Sequence, residues 1–332
     1  MTGSEVLEVR FHAGGANWPG NPYRLRGKGQ LVVEPDFVLV RGSSHRSFRF
    51  PKREEHRLRK VDIVNVRLDG RDLRFDVLGV RDTLTVGFST VDAQAAKAIA
   101  ALLPARQTDA FAVAHAEREE FHDRIDYWSP STPVTWTLLA LNIGIFLLMW
   151  WQRRGYADPA GVFESMQLVA WGSNIGRLTL GGESWRLLTS MFLHGSLLHL
   201  GFNMVVLYQA GQLAERIFGS LRFTGLYLIA GLCGSLGSVL WNAHVNSVGA
   251  SGALFGLVGG LLAFIHRRHS GVPPTVVKDL QGSLLPFLLF NLWAGFIYPH
   301  TDNAAHIGGL VGGWLAGHLL ARSLHVPNQR PA

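Results

Sequence analysis

The chain has a single cysteine, Cys233, among its 332 residues, so no intrachain disulfide can form and cysteine usage does not indicate a redox compartment. Its second part is short of charge. Residues 1–132 carry 20 Lys and Arg and 18 Asp and Glu, whereas residues 133–332 carry only 11 and 6 in a segment half as long again. That imbalance excludes one soluble globular fold for the whole chain and marks the second part as membrane material. A net charge of +7 and a pI near 9.9 suggest nucleic acid at first sight. The basic residues of the apolar part lie at the ends of hydrophobic runs, where they set topology, so no nucleic-acid partner is expected. The opening MTGSEVLEVRFHAGG has no basic stretch leading into an apolar one, and no cleaved signal peptide is expected.

What is present first is alternation. In VDIVNVRLDGRDLRFDVL, Val64, Val66 and Leu68 are expected to face one way, Asp69-Gly70 to turn the chain, and Leu73, Phe75 and Val77 to return. Runs at QLVVE, FVLVRG, HRSFRF and TLTVGF extend this to a sheet of about six strands. A helix follows, since Ser89 to Asp92 resembles a capping box and AQAAKAIAALL is rich in helix formers before Pro104. Strands closed by one helix suggest a small domain, residues 1–104, resembling a pleckstrin-homology barrel. Residues 105–132 read as a charged linker.

Six apolar runs come next, at 134–151, 190–213, 223–241, 251–265, 282–298 and 304–321. Most approach the ~20 residues a bilayer-spanning helix needs. The expected architecture is therefore an α-helical membrane protein, with a six-helix core over 133–322 and a cytoplasmic tail at 323–332. Arg216 and Arg222, Arg267, Arg268 and Lys278, and Arg322 and Arg330 follow the even-numbered runs. Those ends, and both termini, are expected on the cytoplasmic side. Arg153 and Arg154 after the first run dissent.

Polar residues inside a membrane are costly, so those that share a depth are informative. Ser251 lies 16 residues before Arg267 and His306 lies 16 before Arg322. Each separation is about 24 Å of helix. His199 and Asn203 precede Arg216 by 17 and 13 residues, roughly 25 and 20 Å. All four fall in one layer, a few ångströms below the outer surface of a ~30 Å core. A serine hydroxyl needs a base to become a nucleophile, and imidazole has a suitable pKa and reach. His199 and Asn203, at i and i+4, can aim two donors at a developing oxyanion. Gly249 and Gly252 leave the backbone beside Ser251 bare, at a helix start whose N–H groups are unpaired.

Other readings attach to the same residues. A serine among glycines also suits close packing of membrane helices, and Gly309 and Gly313, like Gly252 and Gly256, read as close helix contacts. A transport or metal-handling protein could use His194, His199, His244, His300 and His306. His194 and His199, five residues apart, would stand about 140° apart on a helix and share no face. A catalytically inactive binder of transmembrane helices is a third class, expected to lack Ser251 or His306; this chain has both.

With ESWRLLTSMFLHGSLLHLGFN at 183–203, GASGALFG at 249–256 and AHIGGLVGG at 305–313, the sequence resembles the rhomboid family of intramembrane serine proteases. The resemblance implies Ser251 as nucleophile, His306 as general base, and His199 with Asn203 as oxyanion donors. It implies structural roles for His194, for the Trp185-Arg186 pair in the loop after the first helix, and for Glu215 and Gly219 in helix packing. Phe255 stands where many members carry a tyrosine that stacks on the histidine, which keeps the ring and loses the hydroxyl. The family dyad has no carboxylate, whereas Asp302 lies one turn before His306. The implied activity is cleavage of transmembrane segments of membrane proteins within or near the outer leaflet, with no cofactor and no metal. Activity is expected to fall below the ordinary imidazole pKa of ~6.5 unless burial moves it. A bacterial inner membrane is the expected location, and the partner of the amino-terminal domain is not readable.

Overall fold

The computed structural model describes residues 5–12, 23, 25–44, 52–79, 83–155, 161–267, 270–298 and 301–321. The chain divides into two compact units, Met1–Ala116 and Glu117–Ala332.

Among the described residues, the first unit holds seven strands: β1 (Glu5–Phe11), β2 (Leu25–Val33), β3 (Phe37–Ser44), β4 (Lys52–Arg59), β5 (Ile63–Asp69), β6 (Asp72–Leu78) and β7 (Thr83–Ser89). They form one antiparallel sheet in the order β4-β3-β2-β1-β7-β6-β5. Alternate residues such as Phe11, Leu31, Val38, Val40, Phe75 and Phe88 supply its core, with Ile99 from helix α1 (Ala93–Leu102). The sequence expectation missed β1 and β4. β4, KREEHRLR, is an edge strand whose charged side chains are mostly exposed, which blunts the edge and hides the apolar alternation. The run HRSFRF lies outside the described residues. The β5–β6 hairpin forms, but Val64, Val66 and Leu68 do not share a face. Asn65 sits at φ +56°, the register shifts there, and Leu68 is 44% exposed while Val64 is buried. The helix cap is Asp92, which accepts the Ala95 N–H at 2.8 Å, three residues after the expected start.

The charged stretch at 105–132 contains a 20-residue helix, α2 (Asp109–Trp128), whose buried side chains are Phe121 and Ile125, one turn apart. Beyond it lie α3 (Pro133–Arg153), α4 (Val162–Ala170), α5 (Leu197–Phe218), α6 (Ser220–Trp241), α7 (Ser251–Ile265), α8 (Pro274–Ile297) and α9 (Asn303–Leu320). Helices α3, α6 and α8 are long and apolar enough to cross a membrane. A fourth span passes if α5 is joined to Arg186–Phe192 across a bend of 93°. The protein is therefore an integral membrane protein with a helical core. The other two expected runs fall short of that measure for a physical reason. α7 has 15 residues, 13 of them buried, and α9 contains five glycines and two histidines. α7 is wrapped by other helices, and α9 turns a glycine face to α6 and α7 while Ile307, Val311, Leu315 and Leu319 stay exposed, so small residues needed for close helix contact dilute its apolar character.

Those small residues set the core. A methyl group built on Gly309 would meet the carbonyl oxygen of Gly252, and one on Gly313 that of Gly256. On Gly317 it would lie 2.6 Å from the Cα of Gly260. On the other side of α9, a methyl at Gly308 would lie 2.6 Å from the Cys233 carbonyl oxygen of α6. Backbones this close fix α7 and α9 in register, and their amino-terminal ends carry Ser251 and His306.

At the opposite end, Glu215 is fully buried. Its carboxylate accepts the N–H groups of Val134 at 3.0 Å and Thr135 at 2.7 Å, and the hydroxyls of Thr135 at 2.7 Å and Ser220 at 2.8 Å. It thereby satisfies the first turn of α3 and complements the positive end of that helix. Gly219, at φ +78°, makes the turn into α6.

Candidate active site

Ser251 is the first residue of α7. The chain reaches it through Gly249, at φ +121°, whose N–H donates to the Ser190 carbonyl at 2.9 Å. His306 lies in the first turn of α9, which Asp302 caps by accepting the Ala305 N–H at 3.0 Å. The glycine contacts between the two helices bring the side chains together: His306 Nε2 is 3.0 Å from Ser251 Oγ. His306 is buried, and Phe255, one turn after Ser251, stacks on it with ring centres 4.2 Å apart and planes 6° from parallel. Phe287 of α8 packs tilted against Phe255, ring centres 6.0 Å apart.

His199 and Asn203 stand one turn apart on α5, whose start is capped by Ser196, an acceptor for the His199 N–H at 3.1 Å. Both side chains lie close to Gly249, two residues before Ser251. A Cβ built on Gly249 would lie 2.8 Å from His199 Nε2 and 3.7 Å from Asn203 Nδ2, so only a glycine leaves room there. Asn203 Nδ2 also donates to the His199 carbonyl at 3.1 Å, which orients the amide and leaves its second N–H.

His194 corrects the helical-wheel argument. It lies in the bend between Phe192 and Leu197, not on a helix with His199, and the two rings meet edge to face with centres 5.1 Å apart. Arg186 is buried against the connecting loop, donating to the carbonyls of Val169 at 2.7 Å and Ser173 at 3.1 Å, with its Nε on Glu183 at 2.8 Å. Its guanidinium stacks on Trp185, 4.7 Å from the ring centre. The same loop pairs Asn174–Ile175 with Asn246–Ser247, next to the turn that delivers Ser251. Glu183, Ser190 and Phe287 were not singled out from sequence. Only Glu183, three residues before an arginine, left a local signal there.

His300 lies outside the described residues. Among the described residues no group of three or more His, Cys, Asp and Glu side chains could hold a metal ion. What the arrangement can do is nucleophilic: a hydroxyl in hydrogen-bond reach of an imidazole nitrogen can pass its proton across as it attacks an electrophile.

Residues 181–323 match the Rhomboid domain. The chain is 31% identical over 219 residues to rhomboid protease AarA of Providencia stuartii, an alignment covering 59% of this chain and 76% of that protein. The chain belongs to the rhomboid family. It is 37% identical over 188 residues to rhomboid protease GluP of Bacillus subtilis, covering 56% of this chain and only about a third (34%) of that relative's length. The rhomboid relatives also include inactive RHOMBOID-like protein 8 of Arabidopsis thaliana, 34% identical over 154 residues, 46% of this chain and 41% of that protein.

Proposed function

We propose that the chain is an intramembrane serine endopeptidase that cleaves transmembrane segments of other membrane proteins. The observation that carries this reading is the 3.0 Å approach of His306 Nε2 to Ser251 Oγ at the amino-terminal ends of two closely packed helices. In the reaction, His306 takes the hydroxyl proton as Ser251 Oγ attacks the scissile carbonyl carbon. The carbonyl oxygen becomes an oxyanion, for which His199, the free N–H of Asn203 and the unpaired backbone N–H groups at the start of α7 are the donors. Collapse returns the proton to the leaving amine and leaves an acyl-serine, which water hydrolyses with His306 again as base. A substrate helix has every carbonyl hydrogen-bonded within itself, so it must unwind locally before attack, which favours segments with small or helix-breaking residues.

The same reading carries the finer architecture. Six spans over 133–322 include the short, enclosed α7 as a crossing of reduced lipid contact and α9 as a span whose glycine face packs inward while Ile307, Val311, Leu315 and Leu319 face outward. The ends bearing Arg216 and Arg267, and both chain termini, face the cytoplasm, which puts the dyad toward the outer leaflet; a bacterial inner membrane is the matching location. The 323–332 tail lies outside the described residues. Residues 1–104 are read as a pleckstrin-homology-like domain, supported by the single sheet closed by one helix, with 105–132 as the charged connection.

The test is labelling of the purified protein with a fluorophosphonate. Labelling of the wild type that is lost in both Ser251→Ala and His306→Ala is the expected result. Labelling that persists in Ser251→Ala removes the enzyme. A wild type that never labels favours the inactive helix binder, a reading that the inactive relative keeps in view.

A further inference from the structure

Among the described residues, two buried polar atoms beside the dyad have no hydrogen-bond partner. His306 spends Nε2 on Ser251 Oγ, and its Nδ1 is buried and unpaired. Asp302, four residues earlier, spends Oδ1 on the Ala305 N–H, and its Oδ2 is buried and unpaired. The cap fixes the carboxylate over the first turn of α9. The His306 N–H donates to the Asp302 carbonyl at 3.1 Å, and the Asp302 carboxylate is near enough to the imidazole to act on it electrostatically. Asp302 also lines a cavity of about 580 Å³, bounded by the carboxyl-terminal ends of α6 and α8 and by residues 301–304. Three more of its lining groups, Ser238 Oγ, Asn246 Oδ1 and Asn303 Oδ1, are buried and unpaired as well. Ser238 is only 2% exposed. A roomy cavity lined by unsatisfied polar atoms is one that holds water.

We infer that Asp302 is a positioning residue for His306, acting through a water of this cavity that accepts the Nδ1–H of the imidazole and donates to Asp302 Oδ2. The bridge holds the ring in the tautomer whose Nε2 is free to take the serine proton, and it supplies a negative charge to the imidazolium formed during attack. Among the described residues, the ionisable groups that act electrostatically on the imidazole are Asp302, at the cap of its own helix, and His199 on α5. Asp302 carries the only carboxylate of the two. The dyad is thereby extended to an indirect triad. This inference rests on the protease reading above.

The experiment measures fluorophosphonate inactivation over a range of probe concentrations, which separates the maximal rate from the probe's binding constant. Asp302→Asn and Asp302→Ser both keep a competent helix cap while removing the carboxylate. Both variants should lose at least about tenfold in maximal rate. The binding constant should stay within about twofold and the thermal midpoint should stay that of the wild type. Wild-type rates in both variants overturn the inference, as does a rate loss that comes with a lowered thermal midpoint, which would make Asp302 a cap and nothing more. A wild type that does not label overturns both this inference and the protease reading. A wild type that labels beside unaffected variants overturns this inference alone.

Discussion

Gly249 does two jobs that no other residue can do. Its φ of +121° is open to glycine and strained for any L side chain, and a Cβ there would lie 2.8 Å from His199 Nε2. Gly249→Ala is therefore expected to push His199 and the approach to Ser251 apart. Fluorophosphonate labelling should fall more than about tenfold while the helical content read by circular dichroism stays the same. Labelling at the wild-type rate would show that the turn tolerates a methyl and that His199 is not fixed by it. Phe255→Tyr is the mild counterpart: the stack on His306, with ring centres at 4.2 Å, needs only the ring, and labelling should change less than about threefold. At this scale the meeting of Ser251 with His306, and the nearness of His199 and Asn203 to Gly249, were legible in the sequence, because hydroxyl, imidazole and amide groups are rare in apolar runs and helix rise converts their positions to depth. His194 could not be placed that way, since the arithmetic assumed a helix where the chain bends. Phe287 could not be found at all: an aromatic residue in an apolar run carries no mark of which ring it will touch.

Among the elements, α8 shows why apolar runs mislead about helix ends. The run was expected to begin at 282, yet the helix begins at Pro274, because its first turns are polar and are met by protein. Glu117 of α2 accepts the Thr275 N–H at 2.9 Å, and Arg118 holds Asp279 at 2.7 Å. The buried face of α2 is faint in the sequence, since Phe121 and Ile125 alone mark it amid charged residues. The Thr275 hydrogen bonds hold the Glu117 carboxyl below the usual glutamate range. A carboxylate with a lowered pKa in the folded state adds stability that is complete above the unfolded value of ~4.3 and is lost as pH falls through the folded one. Hydrogen-exchange protection of the first turn of α8, corrected for intrinsic rate, should therefore drop on acidification below about pH 4. Glu117→Gln should show the reduced protection already at pH 7, and equal protection in variant and wild type would refute the cap. Glu215 anchors the start of α3 more firmly, being buried with four donors. Glu215→Ala leaves those donors unpaired, and a loss of about 3 kcal/mol is expected in detergent-solubilised unfolding.

For the whole molecule the question is which end of the helical unit faces which side of the membrane. Several polar contacts gather at one end: Arg216 with Asp126, Arg124 with the Gly271 carbonyl at 2.7 Å, and Arg267 with the Ala321 carbonyl at 2.7 Å. Ser251 and His306 lie at the opposite ends of the helices that carry Arg267 and Ala321. The dissenting Arg153 is ion-paired with Glu164 of α4, so its charge is met within the protein and weighs less in the positive-inside balance. Arg154 lies over the Trp151 ring, 5.1 Å from its centre. The basic end is thus expected in the cytoplasm and the dyad toward the outer leaflet. Because Cys233 is the one cysteine in the chain, Cys233→Ala gives a clean background for a single reporter thiol. Tyr127→Cys, at a position 69% exposed on α2, should react with a membrane-impermeant maleimide only after the cytoplasmic side is opened. Leu180→Cys, at a position 62% exposed in the loop next to the strand that leads to Ser251, should react in intact cells. The reverse pattern would invert the protein, put Ser251 and His306 near the cytoplasmic leaflet, and move the expected cleavage of substrate helices to that side.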